Sequence, residues 1–200
     1  MDIAHFKENL FKIKETFFFD KNEYLREKTS NTLKVIQVIH EAEILLKGSH
    51  KDDKYFLYGT LGNLYSIIGQ PKKAFNSLTY CLNYSVEDRN ITRQIVTLIR
   101  LGEALKYDTH HKEALLKFNE ALNLCITNKI DAYIDFALQH KGKCLMELSL
   151  LKEAEECFLE ALHLRELKED FSLINSTKQA LNFLYKLQQE SSIDDLDVQG

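Results

Sequence analysis

Residues 58–82 read YGTLGNLYSIIGQPKKAFNSLTYCL, with Gly62 in the middle of an otherwise helical pattern. A glycine in a helix interior costs about 1 kcal/mol against alanine, so something must offset it. The rest of the chain supplies the reason. Gly62 recurs as Gly102 and Gly142, each 40 residues on, and 12 residues after each glycine comes an alanine: Ala74, Ala114 and Ala154. Lys72-Lys73, Lys112-Glu113 and Lys152-Glu153 precede the alanines; Leu78, Phe118 and Phe158 follow them by four residues. Cys81, Ala121 and Ala161 come next in register, followed by Leu82, Leu122 and Leu162. A period of this length is the mark of a stacked-repeat architecture.

Each copy reads as two amphipathic helices. In the third, Leu138, Leu145 and Leu148 mark the first helix, and Ala154, Phe158, Ala161 and Leu162 the second. The links are short: GQP at 69–71, DTHH at 108–111 and LSL at 148–150. Pro71 suits the first turn of a helix, where its missing N–H has no partner to lose. Small residues at the glycine and alanine positions let two antiparallel helices approach closely, which offsets the cost of Gly62.

Composition agrees. The 200 residues include one proline and seven glycines, too few for a chain rich in sheets and irregular loops. Hydrophobic residues at 44% and charged residues at 28% are ordinary for a chain that buries a core. A net charge of −4 leaves no basic stripe for nucleic acid. No apolar run approaches the roughly 18 residues needed to span a membrane, and the N-terminus MDIAHFKENLFKIKE has no apolar signal core. The four cysteines (Cys81, Cys125, Cys144, Cys157) are widely spaced and fall within helical patterns. The expectation is a reduced, cytoplasmic protein.

The copies resemble the tetratricopeptide repeat (TPR) family, whose pattern is W-x2-L-G-x2-Y…A-x3-F…P. Tyr58-x2-Leu61-Gly62-x2-Tyr65 with Ala74-x3-Leu78, and Leu98-x2-Leu101-Gly102-x2-Leu105 with Ala114-x3-Phe118, carry the resemblance. Lys141 departs from the leucine before Gly142, and no copy has the closing proline. The period is 40 rather than about 34, so the helices are expected to be longer by about a turn. Lengthened repeats of this kind look like those of peptide-sensing bacterial regulators and some cytoskeletal adaptors. The resemblance implies an all-α fold, a right-handed superhelical α-solenoid of antiparallel helix pairs.

One solenoid is expected over 1–190, with three clear repeats at 55–167. Residues 1–50 read as degenerate N-terminal helices: Val35, Ile39 and Ala42 place the second helix of a worn repeat at 31–47, its first helix lying within 2–28. Residues 170–190 read as a capping helix with Asn182 at the glycine position, and 191–200 (SSIDDLDVQG) as a flexible acidic tail that is a candidate occupant of the groove. Phe17, Phe18 and Phe19 cannot all share one side of a helix; one or two are expected to seal the first edge of the solenoid, and another to face a partner or a second copy of the chain.

The resemblance also implies a concave groove lined by the first helices. Its positions map to Phe56, Gly59, Thr60, Asn63 and Ile67; to Val96, Ile99, Arg100, Glu103, Lys106 and Tyr107; and to Phe136, Gln139, His140, Lys143 and Glu147. Asn63, Arg100, Glu103, Gln139, His140 and Lys143 are the candidate partner-binding residues, their carboxamides suited to both backbone groups of a peptide. The family's clamp for a C-terminal carboxylate is not reproduced: only Asn63 matches, while Gly59, Arg100, Phe136 and His140 depart from it. His110 and His111 beside Asp108, and His140 near Cys144, bring too few ligands for a metal. No catalytic or phosphate-binding motif is present. The expected function is a non-enzymatic module binding a protein or peptide segment, without cofactor, nucleic acid or membrane. The alternative is a peptide-sensing regulator whose solenoid changes curvature.

Overall fold

The computed structural model describes residues 2–197, with side chains through residue 190. Its helices are α1 (Ile3–Ile13), α2 (Thr32–Leu46), α3 (Lys51–Ile67), α4 (Pro71–Glu87), α5 (Ile91–Tyr107), α6 (His111–Asn128), α7 (Ile134–Glu147), α8 (Leu151–Leu167) and α9 (Phe171–Asp197). A short 3₁₀ turn, Asp131–Tyr133, leads into α7. The first helices therefore open at 51, 91 and 131 and the second at 71, 111 and 151, keeping the 40-residue register.

Packing explains the glycines. A Cβ on Gly62 would stand 2.5 Å from Leu78 Cγ; on Gly102 or Gly142 it would stand 2.5 or 2.7 Å from Cε1 of Phe118 or Phe158. In each pair a side chain of the second helix lies on the bare backbone of the first. Ala74, Ala114 and Ala154 are wholly buried at the same interfaces. Filling these contacts with extra methylenes would force the helices apart.

The links repeat as well. Gly69, Arg89, Thr109, Lys129, Ser149 and Glu169 all take positive φ, between 52° and 73°. The next amide reaches back to close the helix: Gln70 N to Tyr65 O, Asn90 N to Ser85 O, His110 N to Leu105 O, Ile130 N to Cys125 O and Leu150 N to Leu145 O. This is the Schellman ending, which satisfies carbonyls a helix terminus leaves unpaired. Only one of these left-handed residues is glycine, which explains how the chain manages with so few.

At the C-terminal end, Arg165 of α8 is buried and ties α9 in place. Its guanidinium donates to Asp135 Oδ2 (2.9 Å), Thr177 Oγ1 (2.6 Å) and Leu173 O (3.2 Å). Helix α9 continues without a break past Glu190 to Asp197. The side chains of the acidic tail, and with them its expected seat in the groove, lie outside the described residues.

The N-terminal region corrects the sequence reading. Helix α1 lies within the expected 2–28 and α2 coincides with the expected worn second helix, but residues 17–29 hold no α-helix, only a 3₁₀ turn at Lys21–Glu23. They form an antiparallel hairpin of β1 (Phe17–Asp20) and β2 (Arg26–Thr29), in the register Phe17–Thr29, Phe18–Lys28, Phe19–Glu27 and Asp20–Arg26. The three phenylalanines thus alternate on a strand. Phe17 packs against the N-terminal core, Phe18 is exposed, and the Phe19 ring lies 4.3 Å from Lys143 Nζ. Phe19 therefore reaches across to α7 rather than sealing the first edge.

Candidate functional site

The hairpin lies across the concave face and divides it. Alternation along the strands puts Phe17, Phe19, Glu27 and Thr29 on one side of it, and Phe18, Asp20, Arg26 and Lys28 on the other. On the first side is a chamber of about 400 Å³ lined by Phe19 and Glu27 from the hairpin. Asn63, Arg100, Glu103, Gln139, His140 and Lys143 line its other walls, so all six candidate residues come together. Phe136, Tyr133, Val96 and Ile99 supply apolar surface there. A second hollow of about 440 Å³ continues past Arg100 toward Tyr55, Phe56 and Gly59. On the far side of the hairpin, Arg26, Lys28, Lys72, Lys73 and Tyr107 border a hollow of about 450 Å³.

Two donors in the first chamber face no acceptor among the described residues. Gln139 is 4% exposed, and Arg165 Nη1 donates to its Oε1 at 3.2 Å. That bond fixes the amide, and Gln139 Nε2 is left buried without a hydrogen-bond partner. An unmet buried donor costs about 1–3 kcal/mol, so its persistence in a cavity wall marks a place for an acceptor. Arg100, exposed on α5, likewise makes no hydrogen bond or ion pair among the described residues. Gly59 makes room for it: a Cβ at Gly59 would stand 3.0 Å from Arg100 Nη1.

Glu103, His140 and Lys143 have charged neighbours. His140 Nδ1 stands 3.4 Å from Glu103 Oε1. Burial alone would raise the Glu103 pKa, but His140, Lys106 and Lys143 hold it well below the usual carboxylate range. Glu27 goes the other way: burial, reinforced by Glu103, pushes it up to about 7. Burial pulls Lys143 down to about 8.

The hairpin itself is held by first-helix residues. Lys143 Nζ donates to Leu25 O at 3.1 Å, and Glu27 N donates to Tyr107 Oη at 2.8 Å. A backbone carbonyl at the hairpin turn and a backbone amide in its second strand are therefore read by a lysine and a tyrosine, where the sequence had suggested carboxamides. Arg26 Nε and Nη2 fork onto Glu147 at 3.1 and 2.6 Å, and Nη2 also donates to Lys106 O at 3.1 Å. His111 Nε2 and Lys106 Nζ stand 2.8 and 3.5 Å from the same carboxylate. Glu147, Lys106 and Tyr107 were legible as groove positions. Their roles were not, because nothing local announces Arg26 from 121 positions away. Among the described residues no group of three or more His, Cys, Asp or Glu is placed to hold a metal, and no helix is long and apolar enough to cross a membrane.

No family model and no curated protein sequence matches this chain. Solved structures do. A Rap protein complexed with competence and sporulation factor superposes with a TM-score of 0.75 at 18% identity, over 96% of this chain and 51% of that one. PlcR of Bacillus thuringiensis, in complex with the peptide PapR7 and DNA, gives 0.63 at 20% identity, over 74% and 53%. The TPR domain of Arabidopsis FLU gives 0.54 at 19% identity, over 60% of this chain and all of that one. The chain spans only part of the Rap and PlcR structures: 65% of RapI, 51% of the Rap complex and 53% of PlcR. These likenesses establish the fold as a TPR-type helical solenoid.

Proposed function

We propose that this solenoid is a non-enzymatic module that binds an extended peptide segment of another protein in its concave groove. One observation carries the reading. Six polar residues from α3, α5 and α7 line one chamber; among the described residues the buried Gln139 Nε2 has no acceptor, and the exposed Arg100 makes no hydrogen bond or ion pair. A segment offering a carboxylate or an unpaired carbonyl beside an apolar side chain complements that wall, with Phe136, Tyr133 and Val96 receiving the apolar part. Two neighbours of the same fold were solved with a bound factor or peptide, which supports the reading by analogy.

A second reading, in which ligand binding alters the curvature of the solenoid, has an observation in its favour. Through Leu25 and Arg26 the hairpin braces α5, α7 and α9 against one another, so moving it would remove ties across the groove.

Selection of a displayed random-peptide library on the immobilised protein tests the groove. Enriched peptides are expected to lose at least tenfold in affinity for Arg100→Ala and Gln139→Ala, with melting temperature unchanged for Arg100→Ala. Equal binding to both variants would refute the site.

A further inference from the structure

The hairpin is held as a ligand would be held. Two first-helix side chains read its backbone, and two sockets read its side chains. Leu25, 5% exposed, belongs to the apolar cluster that α7, α8 and α9 build, with Leu138, Leu145, Leu181 and Leu184 among its members. Arg26 enters beside the Tyr107 ring, 5.1 Å from its centroid, and forks onto Glu147. The second socket does not depend on its occupant: His111 and Lys106 hold Glu147 from the solenoid side.

The hairpin, by contrast, depends on its seat. Among the described residues its two strands pair only with each other, and an isolated two-stranded hairpin is marginal in water. Tyr24 and Leu25 at its turn are consecutive non-glycine residues with φ of 51° and 59°. Backbone of that kind persists where surrounding contacts over-determine it. Thr16 and Asn31 flank the hairpin, so no α-helix includes any of its residues.

We propose that the Leu25–Arg26 seat, formed by α5, α7 and α9, is a docking site for a segment that presents, at a turn, an apolar residue followed by arginine. In the free protein the chain's own hairpin fills it, and a partner bearing that dipeptide displaces the hairpin. The inference rests on the groove reading above and adds the chemistry of the partner on the Glu147 side. The burial of Glu27 beside Glu103 works against the seated hairpin at neutral pH and favours exchange.

The test uses the full chain with its hairpin unseated by Leu25→Asp and Arg26→Glu, changes that leave the seat itself intact. The probe is a fluorescein-labelled peptide of residues 17–29, FFFDKNEYLREKT. It is expected to bind the double variant at least tenfold more tightly than the wild type, and to lose that binding when its own arginine is replaced by glutamate. Equal affinity for both proteins, or indifference to the arginine, overturns the proposal. Hydrogen exchange on the wild type decides the matter if the double variant does not fold. Arg26 and Glu27 amides are expected to exchange at least a hundredfold faster than core amides of α5 and α7, through local opening. Exchange only with global unfolding would make the hairpin a fixed part of the fold and end the idea. Since Arg100 and Gln139 lie in the other chamber, loss of library peptides in their variants would leave the groove reading standing even then.

Discussion

Arg26 and Glu147, 121 positions apart in the chain, form a two-pronged ion pair at 3.1 and 2.6 Å. Its two ends are not equivalent. Glu147 also faces His111 and Lys106, whereas Arg26 has this one carboxylate, two backbone carbonyls and the Tyr107 ring. Losing Glu147 strands the buried Lys106 and the part-buried Arg26; losing Arg26 leaves the carboxylate partnered. Glu147→Ala is therefore expected to cost about 3–5 kcal/mol, and Arg26→Ala clearly less. Denaturant melts of the two variants check the order; equal losses would mean that Lys106 and His111 do not sustain the carboxylate.

Gly102 supplies a test of the helix pairing. A leucine there must displace Phe118, whose ring edge lies 2.5 Å from the position of a Cβ. Gly102→Leu is expected to cost roughly 1–3 kcal/mol or more, whereas Lys112→Ala, exposed on α6, should stay within about 0.5 kcal/mol. Indistinguishable thermal melts would show that the glycine does not govern the pairing.

Thr109 closes α5 at φ 63°, a conformation poorly suited to a β-branched residue. Thr109→Asn is expected to gain about 0.5–1 kcal/mol, raising the melting temperature by roughly 1–4 °C for a chain of this size. Gly69→Ala, at φ 73°, should lower it. A fall in both would mean that the Thr109 side chain supplies more than its backbone strain costs.

The pH dependence of the hairpin follows from Glu27. Seating raises its pKa from 4.5 to about 7, against Glu103 on α5, with Lys143 on α7 and Lys14 acting in the opposite sense. A carboxyl raised in the folded state binds more protons there than when free. Its contribution is complete below about 4.5 and is lost as pH rises through 7. Lys143, lowered from 10.5 to about 8, adds stability between those values as pH rises. Hairpin amide exchange is thus expected to quicken, after correction for intrinsic rates, between pH 5 and 7, and Glu27→Gln should remove that slope. The same slope in the variant would exclude Glu27 as its source.

Most of the architecture was legible because Gly62, Gly102 and Gly142 face Leu78, Phe118 and Phe158 in one unvarying register. The links were less so. Arg89, Thr109, Lys129, Ser149 and Glu169 adopt a left-handed backbone that their side chains do not advertise. The hairpin was illegible for a deeper reason. Its turn contains no glycine, and its left-handed pair is Tyr24–Leu25. What holds it is Glu147, Lys143 and Tyr107, far along the chain, so no local pattern could distinguish it from a worn helix. The six chamber residues were legible from register alone; that Gln139 is left with an unmet donor depends on Arg165, which no groove pattern includes.

Amide chemical-shift mapping is the most direct test of binding in the groove. A library-selected peptide would be titrated into the full chain labelled with ¹⁵N, and residue-by-residue shifts followed to saturation. The largest shifts are expected at Asn63, Arg100, Gln139 and Lys143 and their neighbours on α3, α5 and α7, with Lys112 and Lys152 on the second helices unmoved. Shifts concentrated around Lys112 and Lys152, with the chamber residues silent, would place binding on the convex face and contradict the account.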